Sequence, residues 1–275
     1  MIPERLELPE PSQAVLRAAR ALLRRKERKA SGRFLAEGPQ AVREALKQPE
    51  VVESVFFRWA AVHDHVDLLT AAREAGVRHY AVSEQNIATI SDTVTPQGVV
   101  AVCRTLDVPL AEAVTPGVRL VVICAQIRDP GNAGTVIRCA DAFGADAVIL
   151  SSDSVEVYNP KTVRASAGSV FHLPVVTGVE LAEAIDACRA AGLRVFATDG
   201  ESGTELTELA DGLAEPTAWV MGNESWGLPV EHLELADTTV AVPIYGQAES
   251  LNLATAAAVC LYASASAQHT RDASG

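Results

Sequence analysis

Five side chains in the second half of this 275-residue chain have the types and placement for chemistry: Asn132, Arg138, Glu224, Ser250 and Asn252. Each falls in a loop between a strand-like run and a helix, or in a first helical turn. Gly134 and Arg138 lie four apart, on one face of the helix that follows Asn132. Glu224 ends the tight turn Gly222-Asn223-Glu224, and Ser250-Leu251-Asn252 leads into an alanine-rich helix. Amides, a hydroxyl, a carboxylate and a guanidinium can orient a polar ligand and stabilise charge that develops on it. They do not form a nucleophile set: Ser250 has no histidine and acid near it in sequence, and G-x-S-x-G is absent. A Walker phosphate loop, G-x-G-x-x-G after a strand and H-E-x-x-H are absent too. Taken singly, Gly and Asn make tight turns and Ser250 could cap a helix. Two polar turns closing two successive apolar strands point further, to the ligand-holding carboxyl edge of an open α/β sheet.

The elements that must position these residues follow from periodicity and punctuation. In the second half, strands are expected at Arg119–Ala125, Ala147–Leu150, Pro174–Val176, Leu193–Thr198, Thr217–Met221 and Thr238–Ile244. Helices are expected at about 133–143, with Asn132 suited to the N-cap, from Lys161 through about Ala167, at Val179–Ala191, and from the Ser250 turn to about Ala267. In the first half, Ser12 could cap a helix running to about Lys29. A short strand at Phe34–Ala36 and a helix from Pro39 to Lys47 follow. Beyond them come a strand at Val51–Trp59, a helix at 64–75, a strand at Arg78–Val82, a short helix from Ser83 and a strand at Val99–Cys103. Alternating strands and helices make the class α/β. Two prolines and few structure formers mark 106–117 as a linker. The expected domains are therefore 1–105 and 118–270.

A net charge of −12 argues against indiscriminate nucleic-acid binding. The distribution is more telling. Residues 17–47 hold ten Lys/Arg against three Glu, a local +7 that leaves −19 for the remainder. Arg24, Arg25, Lys26, Arg28 and Lys29, with Arg33 close behind, form the densest patch, a phosphate-binding face or a solvated helix surface. The five cysteines are scattered through apolar segments without metal spacing and read as buried reduced thiols. His63 and His65 flank Asp64 and read as surface histidines; no metal site is expected. No apolar run approaches the roughly 20 residues that span a bilayer, and the charged N-terminus is no signal peptide, so a cytoplasmic location is expected.

Three segments carry a resemblance: NAGTVIR at 132–138, GNESWGL at 222–228 and PIYGQAESLNLATA at 243–256. In order and spacing they resemble the three motifs of the SpoU/TrmH-type RNA ribose methyltransferases of the SPOUT superfamily. The likeness spans about 118–268, and RKERKASGRFLAEG at 25–38 is similar to the RNA-binding domain often attached in that family. The resemblance implies a C-terminal trefoil-knot domain with a mostly parallel sheet, preceded by a smaller α/β RNA-binding domain. It implies S-adenosylmethionine (S-adenosyl-L-methionine) as cofactor, a pocket of Met221, Gly222, Asn223, Ile244 and Leu253, and a homodimer formed through the C-terminal domain. Arg138 would lead the catalytic group, with Asn132, Glu224, Ser250 and Asn252 around it. Lys161 and Arg164 would meet RNA phosphates or a dimer interface. Ser225 stands where the family often has glycine, and Ala254 where it often has serine; both replacements are small. A guanidinium titrates above about pH 12 and is a poor base. Arg138 is therefore expected to grip a phosphate and stabilise alkoxide charge, leaving the proton to a phosphate oxygen or water.

The implied activity is 2′-O-methylation of a specific ribose in structured RNA. 23S ribosomal RNA is favoured by the discrete basic N-terminal domain, and an antibiotic-resistance version is compatible with it. The alternatives are a transfer-RNA ribose methyltransferase, a non-catalytic RNA-binding or ribosome-assembly factor, and an acidic α/β protein for another nucleotide.

Overall fold

Apolar runs too short for helices and bounded by turn residues become two sheets in the computed structural model, which describes residues 8–209, 212–223 and 225–274. The chain divides into two compact units. One holds the described residues up to Leu106 together with Tyr158–Phe171; the other holds Asp107–Val157 and the described residues from His172 onward. The contribution of 158–171 to the first unit differs from a division into consecutive domains.

In the first unit, α1 (Gln13–Ala21) and α2 (Arg25–Ser31) precede β1 (Arg33–Glu37), α3 (Pro39–Leu46), β2 (Val52–Arg58), α4 (Val66–Glu74), β3 (Arg78–Val82), α5 (Glu84–Thr89) and β4 (Val99–Arg104). The four strands pair in the order β1-β4-β2-β3, with only β2 and β3 parallel. Ser12 caps α1 as expected, its Oγ accepting from Val15 N. The single helix expected to reach Lys29 is instead broken after Ala21. Arg28 seals the break: its Nη1 donates to the Leu22 carbonyl at 2.8 Å and its side chain is buried, satisfying a carbonyl at the end of α1. His65, expected at the surface, is buried with Nε2 2.9 Å from the Gln97 carbonyl.

The second unit contains α6 (Leu110–Ala113), β5 (Leu120–Cys124), α7 (Pro130–Ala142), β6 (Ala147–Ser151), β7 (Val175–Val179), α9 (Leu181–Ala190), β8 (Arg194–Thr198), β9 (Thr217–Met221), α10 (Val230–Leu233), β10 (Thr238–Val240) and α11 (Leu253–Ser274). Between β6 and β7, α8 (Pro160–Ala165) belongs to the first unit. All pairings are parallel, in the order β10-β8-β9-β5-β6-β7. Every residue of β5, β6 and β9 is buried, the signature of strands covered on both faces. The stretch 106–117, expected to be a linker, is structured: Val108 N bonds the Val175 carbonyl, and Ala113 and Val114 join the core. The expected strand 238–244 stops at Val240, because Pro243 has no N–H for a ladder and the chain leaves the sheet. Along α11, Trp219 Nε1 donates to Ser264 Oγ at 2.9 Å in the buried interior.

Candidate active site

The carboxyl ends of β8, β9 and β10 and the head of α11 surround a cavity of about 530 Å3. The five residues expected to hold a cofactor, Met221, Gly222, Asn223, Ile244 and Leu253, all line it, as does Ser250. Its size falls within the roughly 300–1,000 Å3 of small-molecule sites.

The wall after β9 is shaped by backbone. A Cβ on Gly222 would lie 2.6 Å from the Gly227 carbonyl carbon and 2.7 Å from its oxygen, so only glycine fits. The turn closes through Asn223 N to the Gly227 carbonyl at 2.8 Å and Gly227 N to the Asn223 carbonyl at 3.0 Å. The Asn223 side chain is spent on this architecture. Its Nδ2 donates to the Gln126 carbonyl at 2.8 Å and its Oδ1 accepts from Ser225 N at 2.8 Å. Asn223 therefore braces the loop with its side chain. Glu224 lies outside the described residues.

At the head of α11, Asn252 Oδ1 accepts from Ala254 N at 2.9 Å and Thr255 N at 3.3 Å. Asn252, and not Ser250, thus caps this helix. Its remaining donor, Nδ2, reaches Asn132 Oδ1 at 3.0 Å. Asn132 is not the cap of α7, contrary to expectation. Asp129 takes that role, accepting from Asn132 N at 2.9 Å, with Pro130 at the first helical position. A carboxylate also suits the positive end of the helix better than an amide. Two motifs 120 residues apart are thus joined by one side-chain hydrogen bond. Arg138 is exposed on α7, forms no ion pair among the described residues and does not line the cavity. Next to it, burial raises the Cys139 thiol while the Arg138 charge opposes that rise.

The third wall, the loop after β8 with Thr198, Asp199, Ser202 and Glu205, lies outside the three motifs. Its signal was present: Thr198-Asp199-Gly200-Glu201-Ser202-Gly203 is another small, polar turn directly after an apolar strand. Ser202 Oγ fastens it to β10 by donating to the Thr239 carbonyl at 2.8 Å. Asp199, Glu205 and Glu249 give the wall an acidic character that favours a cationic ligand. Among the described residues, no three His, Cys, Asp or Glu side chains are grouped to hold a metal ion.

In the first unit the expected RNA contacts separate into two kinds. Arg24, Arg25, Lys26, Lys29 and Lys161 are exposed. Arg28 points inward, Arg33 pairs with Glu53 at 3.2 Å, and Arg164 pairs with Glu37 at 3.3 Å and Asp92 at 2.9 Å. The Glu37 carboxylate is only 5% exposed, so Arg164 primarily neutralises a buried charge.

A parallel sheet with a ligand-sized cavity at its carboxyl edge, preceded in sequence by a smaller mixed sheet with a basic segment, defines a two-unit α/β protein of the ligand-binding kind. Known proteins narrow the class. Residues 119–262 match the SpoU rRNA Methylase family, and residues 14–101 match the MRM3-like substrate binding domain. The chain is 39% identical over 238 residues to the 23S rRNA (guanosine(2553)-2'-O)-methyltransferase RlmP of Bacillus subtilis, covering 86% of this chain and 90% of that one. It superposes on the SpoU methyltransferase AviRb of Streptomyces viridochromogenes, solved with the cofactor AdoMet, with a TM-score of 0.80 and 30% identity, over 95% and 100% of the two chains. An AdoMet-bound rRNA methyltransferase of Sinorhizobium meliloti gives a TM-score of 0.77 at 30% identity, over 94% and 96%. This chain belongs to the SpoU rRNA methylase family.

Proposed function

We propose that the protein methylates the 2′-hydroxyl of one ribose in 23S ribosomal RNA, using S-adenosylmethionine. The observation that carries this reading is the Asn252–Asn132 hydrogen bond, which fixes the first turn of α7 against the helix whose head walls the cavity. The cavity suits the cofactor on chemical grounds. Met221, Ile244 and Leu253 offer apolar faces to an adenine ring, loop backbone offers donors and acceptors to its edges, and Asp199, Glu205 and Glu249 favour positive charge. Bound there, S-adenosylmethionine supplies a methyl group activated on a sulfonium.

The protein's own groups hold the acceptor. Arg138 grips the phosphate beside the target ribose and stabilises charge developing on the attacking oxygen. The hydroxyl proton passes to a phosphate oxygen or water. The Asn132–Asn252 pair and Ser250 orient the ribose, and Glu224 belongs to the same catalytic group through its motif. The first unit serves as the RNA-binding domain, contacting phosphates through Arg24, Arg25, Lys26, Lys29 and Lys161, with Arg33 beside them. Arg28 and Arg164 support that surface from within.

A homodimer through the second unit completes the reading. It is supported by an apolar groove of about 600 Å3 on α11, where Val259 and Tyr262 are exposed beside Leu213 and Ala263. A trefoil-knotted threading of the C-terminal part and a cytoplasmic location belong to the same reading. Among the described residues no helix is long and apolar enough to cross a membrane.

Calorimetric titration with S-adenosylmethionine, followed by labelled methyl transfer into ribosomal and transfer RNA, tests the proposal. Binding with base-stable ribose label in 23S RNA is the expected result. Label confined to transfer RNA would change the substrate, and absence of binding would overturn the function.

A further inference from the structure

Gln126 is the second residue after β5 and leads through a short loop to Asp129, the cap of α7, and to Asn132 in its first turn. Its φ is +56°, and Ala167 is the one other non-glycine among the described residues with a positive φ. An L-residue carries a steric cost in this region that glycine does not. The conformation is held from two sides. The Gln126 N–H donates to Ser151 Oγ at the end of β6, at 3.1 Å. Its carbonyl accepts from Asn223 Nδ2 after β9, at 2.8 Å. Both clamps act on backbone, so glycine would make the same turn without strain. The Gln126 side-chain amide, half-buried, has no hydrogen-bond partner among the described residues.

Position gives this amide a direction of use. Asn223 lines the cofactor cavity and Gln126 does not, although the two are bonded. Gln126 thus lies beyond the cavity wall, on the β5 side, from which the chain runs on to Asn132 and Arg138. In the methyltransferase reading Arg138 grips the phosphate beside the target ribose, so the nucleotide comes in on this side.

Resting on the methyltransferase reading above, we propose that Gln126 is a specificity-determining residue whose carboxamide reads the base of the nucleotide being methylated. One acceptor and two donors on a fixed backbone match the mixed edge of a splayed-out base. The strained backbone is retained for the side chain it presents.

The test uses the full chain, S-adenosylmethionine and 23S RNA transcripts carrying A, C, G or U at the position mapped with the wild-type protein. Gln126→Gly keeps the backbone accessible and deletes the amide, and Gln126→Glu keeps the size and changes the hydrogen-bonding pattern. The proposal expects Gln126→Gly to melt no lower than wild type and to bind S-adenosylmethionine unchanged. Its kcat/KM on the native transcript should fall 10–100-fold, with preference among the four transcripts largely lost. Gln126→Glu should shift that preference. A Gln126→Gly protein with wild-type kcat/KM and wild-type base preference overturns the proposal, as does one that loses cofactor affinity in proportion to activity. A wild-type protein that binds cofactor and methylates no RNA overturns the underlying function, a result separable from either of these.

Discussion

Asn252 makes two contacts with one side chain: its oxygen caps α11 and its nitrogen holds Asn132. The two roles can be separated. Asn252→Asp keeps the capping oxygen, and a carboxylate is favoured at a helix N-terminus. It loses the donor to Asn132. We expect melting within the error of wild type, or slightly higher, and a drop in methyl transfer of at least about 10-fold, the worth of one oriented hydrogen bond. A parallel loss of stability and activity would mean that the cap alone matters. Arg138 allows a similar dissection. Lysine retains the charge but not the planar fork that grips a phosphate in two places. Arg138→Lys should keep cofactor affinity while kcat falls by about 10²-fold or more; near-normal turnover would remove the bidentate role.

Among the elements, α11 does most to fix the site, since its head walls the cavity and its body packs on β9. The link at its centre is the buried pair Trp219–Ser264. Ser264→Ala leaves an indole N–H without a partner, at a cost of about 1–3 kcal/mol. Chemical denaturation should show that loss, with kcat/KM at low temperature unchanged because the pair touches no part of the cavity. Asp237, just ahead of β10, ties that strand to β8. Its Oδ2 accepts from Val195 N at 2.8 Å and its Oδ1 pairs with Arg189 at 2.7 Å. Desolvation would raise the Asp237 pKa, but the Val195 N–H and the Arg189 guanidinium outweigh it and hold the carboxyl below its usual 3.8. A depressed folded-state value means stability that is present above the unfolded pKa, near about 3.9, and lost as pH falls through the folded one. The melting-temperature gap between wild type and Asp237→Asn should therefore be open at neutral pH and shrink below about pH 4. A gap independent of pH would show that the carboxylate contributes through shape alone.

At the scale of the whole molecule, the first unit is completed by a segment far away in sequence. Phe34 on β1 packs against Tyr158 at 4.6 Å between ring centroids and against Phe171 at 5.9 Å. Tyr158 also accepts from Leu106 N at 2.7 Å, and Arg164 neutralises the buried Glu37. A fragment ending at Leu106 would expose an aromatic that is fully buried in the intact chain and leave Glu37 without its Arg164 counter-charge, though still bonded to Asp92 N. Losing the packing on Phe34 alone is worth about 3–5 kcal/mol, a large part of a small domain's stability. Such a fragment should lack near-ultraviolet dichroism and a cooperative melt, and an independently folding fragment would show that 158–171 is accessory. Net charge also acts at this scale. With −12 overall and a strongly basic segment at 17–47, the chain can attract phosphates locally and stay weakly attracted to nucleic acid elsewhere.

Residue order alone determined the α/β class, the short apolar runs that become strands, and the three motif loops. These are local properties: period, punctuation by Gly and Pro, and residue type at a turn. The family resemblance of the motifs marked Met221, Gly222, Asn223, Ile244 and Leu253, and all five line one cavity. Only the tertiary structure decided how side chains divide their hydrogen bonds. Asn223 and Asn252 both read as polar loop residues, yet one is consumed by the Gln126 carbonyl and a neighbouring N–H, while the other bridges to Asn132. It also decided that Arg28 and Arg164 turn inward within a basic set that looks uniform in one dimension. The wall after β8 was legible as a polar turn but not as part of the site, since strand order, which places β8 beside β9 and β10, is set by long-range packing. The backbone strain at Gln126 was invisible for the same reason: the two groups that impose it, Ser151 and Asn223, lie 25 and 97 residues away.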